Sequence, residues 1–288
     1  MNTREEGGPG HSVMLLDSGI GGLTIARAIR HRQPALRLHY IADNDGFPYG
    51  DLSAARLIRR VCMLVDQAVA VRPVDAVVIA CNTASTVVLP TLRARLSVPV
   101  VGVVPAIRPA AAASRSNVVG LLATPGTVKS EHVASLIERF AGHCRVLRIG
   151  APGLAALAEQ RWREGTLNAD ALAHELASLF APEWQMLDQL VLGCTHYPLL
   201  RDEIQALVGP HVTLVDSAEA VAHRLEDVLI PVMSTGNGRS IAAVSSFRFT
   251  RDGVDNAMLT PLIQREGFED IGVWTFNPAP ASPLADHP

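Results

Sequence analysis

Eight short β-rich runs, at 12–16, 37–41, 74–80, 98–103, 117–122, 145–149, 188–192 and 212–215, alternate with helical stretches along most of this 288-residue chain. Several contain continuous apolar runs, AVVIA at 76–80 among them, as parallel strands covered on both faces must. The clearest helical stretch is 52–70, where Leu57, Ile58, Val61, Leu64, Val65 and Ala68 recur at helical spacing. This alternation predicts an α/β, doubly wound fold with mainly parallel sheets.

The chain also echoes itself. VMLLDSGIGGLT at 13–24 resembles VGLLATPGTVKS at 119–130, and VVIACNTAS at 77–85 resembles LVLGCTHYP at 190–198. Asp17 precedes Cys81 by 64 residues, and Thr124 precedes Cys194 by 70. Either these are two unrelated cysteines at strand ends, or the chain forms two similar, pseudo-symmetric lobes. In the second case each lobe places one thiol at the carboxyl end of a strand, where ligands of open α/β sheets bind, and the two share one cleft. The first lobe is then 1–99 plus 216–288 and the second 100–215. The stretch 216–230 reads as a helix returning to the first lobe. Residues 1–11 and the Pro/Ala-rich tail from about 275 are expected to be disordered.

Composition narrows the function. Hydrophobic residues make up 48% and charged residues 18%, enough for a large core. A net charge of −3 offers no dominant phosphate-binding face, so nucleic acid is not an expected partner. No apolar run is long enough for a membrane helix, and MNTREEGGPGHS lacks the apolar centre of a signal peptide. A cytoplasmic protein is expected. Lys129 is the sole lysine, so pyridoxal-phosphate chemistry would depend on that one residue. No CxxC pair suggests zinc or thioredoxin-like redox chemistry, and no metal site is expected.

Cys81 and Cys194 stand where chemistry could occur. Asn82 and Thr83 follow Cys81 at a helix start, whose free N–H groups favour a carboxylate or a thiolate. Pro90 suits the first turn of a second helix there. Thr195 and His196 follow Cys194, with Pro198 in the first turn of the next helix, and His196 could act as proton partner. Cys62 and Cys144 read as structural. Gly19-Ile20-Gly21-Gly22, with Asp43 near the next strand end, partly matches a dinucleotide fingerprint, but Thr24 replaces its last glycine. Alternatively, Asp17 and Ser18 are polar groups for a small substrate. Two opposed thiols suit proton removal on one face of a carbon and delivery on the other, giving inversion without a cofactor. Disulfide redox chemistry would instead require sulfur bonded to sulfur.

LLDSGIGGL, DNDGFPYG, VVIACNTAS, PVVGVVPAIRPA, GLLATPGTVKS, LGCTHYPLL and LVDSAEAVA occur in that order over 12–230. This run resembles the glutamate racemases, of the cofactor-independent Asp/Glu racemase superfamily. The resemblance implies interconversion of L- and D-glutamate for peptidoglycan synthesis, with no cofactor. It implies Cys81 and Cys194 as acid/base catalysts, Asp17 assisting the first, and His196 with Glu159 assisting the second. It places substrate against Asp17, Ser18, Tyr49, Gly50, Asn82, Thr83, Thr124, Thr195 and His196. Ala151-Pro152 stands where many members have Cys-Pro. PVVGVVPAIRPA and FPYG are similar to the proteobacterial branch, whose activator is UDP-N-acetylmuramoyl-L-alanine. Either a monomer or a homodimer is expected. An aspartate racemase, or a two-lobed binding protein without catalysis, remains the alternative.

Overall fold

The computed structural model describes residues 10–234 and 244–274. Strands β1 (Ser12–Asp17), β2 (Arg37–Ala42), β3 (Ala76–Ile79) and β4 (Val100–Gly102) lie in one sheet. Strands β5 (Val118–Ala123), β6 (Arg145–Gly150), β7 (Gln189–Leu192) and β8 (Thr213–Val215) form the other. The first sheet is completed by β9 (Ser246–Phe249) and β10 (Asp270–Val273), in the order β10-β9-β2-β1-β3-β4. The second runs β6-β5-β7-β8, and every pairing in both is parallel. Within β1–β4 and β5–β8 the order is the same: second, first, third, fourth. The internal echo is therefore structural, with β1 equivalent to β5 and β3 to β7.

The apolar strands are buried on both faces. Val13 and Leu15 of β1 face one core cluster, while Met14 and Leu16 face another. Helix α1 (Leu23–Arg32) covers the first face and α2 (Ala54–Val71) the second. Ser53 caps α2 by accepting the Arg56 N–H, and Leu57, Val61, Leu64 and Val65 bury its apolar stripe. Helix α3 (Asn82–Arg95) runs uninterrupted through Pro90, correcting the expected second helix. Buried Val88 and Leu92 flank the exposed Pro90, so core packing holds the helix through the missing N–H bond.

The chain leaves the first sheet after β4. The first lobe's sheet thus includes Val100–Gly102, beyond the boundary expected at residue 99. Helix α4 (Ile107–Ala113) then opens the second lobe, followed by α5 (Pro125–Lys129), α6 (Glu131–Ala141), α7 (Leu154–Glu164), α8 (Ala169–Glu175) and α9 (Arg201–Val208). Helix α10 (Ala218–Met233) returns to pack on α1, as expected. The two crossing segments touch, since Ser217 donates to the Val104 carbonyl at 2.7 Å. Helix α11 (Val254–Arg265) lies between β9 and β10, where the sequence reading placed no elements.

His11 is ordered, contrary to expectation: its carbonyl accepts from Arg37 and its ring lies 3.3 Å from Asp75. Residues 1–9 and the tail from 275 lie outside the described residues. Among those described, no helix is long and apolar enough to cross a membrane.

Candidate active site

Parallel pairing brings the chemistry together. Leu16 is registered against Ile79, so Asp17-Ser18 and Ala80-Cys81 leave adjacent strands side by side. Leu122 is registered against Leu192, so Thr124 and Cys194 do the same in the second lobe. Both pairs stand at carboxyl ends of strands, at the point where strand order reverses.

Cys81 is the N-cap of α3. The N–H groups of Thr83 and Ala84 point at its sulfur and favour the thiolate. Burial outweighs them and, with the neighbouring Asp17 charge, pushes the Cys81 thiol well above its ordinary range. Charge on Cys194 raises it further, so the two sulfurs share one electrostatic environment. All four cysteines are free thiols, and the sulfur–sulfur bond of the disulfide reading is not formed. Cys62 is buried on α2, and half-buried Cys144 contacts the Ala111 carbonyl.

Cys194 faces His196, with Sγ 4.0 Å from Nδ1. On the far side of the ring, Nε2 lies 2.9 Å from Glu159 Oε1. That same oxygen accepts the Ile20 N–H at 2.8 Å, across the cleft from the first lobe. Burial by itself favours a neutral ring. The Cys194 sulfur, Glu159 and Asp17 prevail and hold the imidazole well above its usual 6.5.

Asp17 is fully buried. It accepts the N–H groups of Ser18 at 2.8 Å and Gly22 at 2.6 Å, and the Thr195 hydroxyl at 3.2 Å. Burial raises its pKa despite the His196 charge and the two N–H donors. Thr83 and Thr124 meet hydroxyl to hydroxyl at 3.3 Å, again between lobes. Gly50 faces Thr124, whose Cβ would lie 3.8 Å from a side chain placed there. The structure also brings Asn82 beside Cys194 and Thr195, around a space of about 10 Å³, room for about one water. Asn82 Oδ1 is buried and without a partner among the described residues.

Tyr49 is engaged differently. Its hydroxyl donates to Asp43 at 2.7 Å, and Arg60 reaches both carboxylate oxygens of Asp43 at 2.6 Å. Thr250 donates to the same group at 2.7 Å. Asp43 is thus a buried anchor for the 44–51 turn and not a ribose ligand, which corrects the dinucleotide reading. The glycines also serve another purpose. A Cβ on Gly21 would lie 2.6 Å from His196 Nδ1, so the turn is bare to admit second-lobe side chains. Arg60, Thr250 and Phe47, whose ring packs 5.4 Å from that of His196, escaped the sequence reading. The one signal of a network there is the polar cluster DND at the end of β2.

A family model described as Asp/Glu/Hydantoin racemase matches residues 24–225. A glutamate racemase of Shewanella sp. (strain MR-7) is 49% identical over 259 residues, covering 90% of this chain and 92% of that protein. One from Shewanella loihica is 47% identical over 231 residues, with 80% and 86% covered. Among solved structures, Escherichia coli glutamate racemase in complex with L-glutamate and the activator UDP-MurNAc-Ala superposes with a TM-score of 0.85. It is 38% identical to this chain, with 92% of this chain and 98% of that one covered.

Proposed function

The chain belongs to the Asp/Glu/hydantoin racemase family, and from that premise we propose that it interconverts L- and D-glutamate by two opposed thiols. The D-isomer serves peptidoglycan synthesis. One observation carries this reading. Two free thiols end equivalent strands of two similar lobes, and each has its own polar partner.

Making a thiolate from an ordinary thiol at pH 7 costs about 2 kcal/mol. Both thiolates together would repel each other and an anionic substrate, so the working state holds one thiolate and one thiol. Cys81, raised by burial and by Asp17, is the thiol that delivers a proton when L-glutamate is bound. Cys194, beside His196, removes the α-proton from the other face. With D-glutamate the roles exchange, and Cys81 ionises under the N–H groups of Thr83 and Ala84. Asp17 takes part in proton exchange at Cys81, and His196, held by Glu159, does so at Cys194. The unpartnered Asn82 carbonyl fits the substrate ammonium, which needs an acceptor. Ser18, Thr83, Thr124, Thr195 and the Tyr49-Gly50 backbone supply the remaining polar contacts.

The E. coli structure contains an activator, and this chain has the PVVGVVPAIRPA segment where β4 crosses to α4. On this reading UDP-N-acetylmuramoyl-L-alanine binds there and biases lobe closure. The test is racemisation of L-glutamate and L-aspartate by purified protein, with and without that compound. Glutamate turnover that the compound raises is expected, with loss of turnover in Cys81→Ala and Cys194→Ala. Preference for aspartate, or near-normal racemisation by either alanine variant, would refute it.

A further inference from the structure

A second cavity, with about 100 Å³ of internal space and an open mouth, lies where the C-terminal end of α2 meets β2 and β9. No residue assigned to the catalytic cleft lines it. Met14, Ile41, Val71 and Trp274 give it apolar walls, and His39, Arg72, Ser246 and Arg248 give it polar groups. That combination of an apolar body and a few convergent polar groups is typical of small-molecule sites.

The polar groups are arranged as donors. Arg72 Nη1 donates to Ser246 Oγ at 2.7 Å and to His39 Nδ1 at 3.0 Å. The Ser246 hydroxyl, 3.0 Å from the same Nδ1, donates to it in turn. Nδ1 is therefore the acceptor nitrogen, and the ring proton sits on Nε2. Burial, then Arg72 and Arg248, push the His39 pKa down to about 4, so the ring is neutral at pH 7. Its buried Nε2–H has no acceptor among the described residues. Arg72 likewise has no carboxylate within ion-pair distance among them, whereas Arg248 is paired with Asp270 at 2.5 Å.

The charges around His39 are Arg72, Arg248 and, more weakly, Arg37, against the single carboxylate Asp270. The excess is positive, and a planar guanidinium fork matches a carboxylate. Asp270 would oppose a dianion such as a phosphate monoester. We infer that this cavity binds a small monocarboxylate with an aryl or alkyl body, its carboxylate on Arg72 and its body against the apolar wall.

Titration calorimetry with 1-naphthoate and its neutral analogue 1-naphthamide, on the full chain with saturating glutamate, tests this. Naphthoate is expected to bind at least about tenfold more tightly than naphthamide. Arg72→Gln should weaken naphthoate binding at least about tenfold without loss of racemisation. Val71 is 78% exposed at the rim, so Val71→Glu tests the same point without disturbing the core. Absence of binding at millimolar naphthoate, equal binding of naphthamide, or tighter binding of phenyl phosphate would overturn the inference. So would unchanged affinity in both variants.

Discussion

Thr195, next to one cysteine, donates its hydroxyl proton to Asp17, the carboxylate beside the other cysteine, at 3.2 Å. The bond ties the β7 turn of the second lobe to the β1 turn of the first. A hydrogen bond to a buried charged group contributes about 1.5–3 kcal/mol. Thr195→Val should therefore lower kcat/KM about tenfold or more in both directions, while Thr195→Ser retains most of it. Initial rates on both enantiomers check this, and an unchanged kcat/KM for Thr195→Val would show the bond to be idle.

The His196–Glu159 pair sets a stability window with a definite sign. Its folded-state imidazole is held above the ordinary 6.5, so the pair's contribution is fully present below that value. It is lost as pH rises through the raised folded value. Glu159→Gln should cost about 3 kcal/mol at pH 6, and less as pH climbs. Urea unfolding of both proteins across pH measures the difference, which should not be flat.

Arg60 holds the fully buried Asp43. Removing one partner of such a pair leaves a poorly compensated charge, so Arg60→Ala should destabilise the protein by about 3 kcal/mol. Tyr49→Phe removes one hydrogen bond to the same carboxylate and should cost less, about 1–2 kcal/mol. Denaturant midpoints would rank the two variants, and the reverse order would contradict the assigned anchor.

The eight strands of β1–β8 and the paired cysteines were legible because parallel strands are continuous apolar runs and because the chain repeats its strand–turn plan. Strands β9 and β10 of the first sheet were not. β9 is the tetrapeptide SFRF and β10 is DIGV, too short and too mixed to announce a period. Glu159 meets His196 from a helix 37 residues away, a contact that no local spacing reveals. Asp43 reads as a free acid until Arg60 and Thr250 are seen to close on it.

Gly21 offers a test of how closely the lobes approach. A Cβ there would lie 2.8 Å from the His196 backbone nitrogen, which cannot swing aside as a side chain can. Displacing catalytic groups by about 1 Å costs about 100-fold in rate. Gly21→Ala should lose kcat on that scale while its circular dichroism spectrum stays native. Near-normal kcat would mean that the lobes do not close to this distance during turnover.

Proton exchange in D₂O tests the opposed-thiol mechanism most directly. If Cys194 removes the α-proton of L-glutamate and Cys81 delivers a solvent-derived one to the other face, early D-glutamate carries deuterium at the α-carbon. Unreacted L-glutamate then carries almost none, and the reverse reaction shows the mirror pattern. Deuterium appearing in the remaining substrate faster than product forms would mean that one group both takes and returns the proton, and would contradict the two-thiol account.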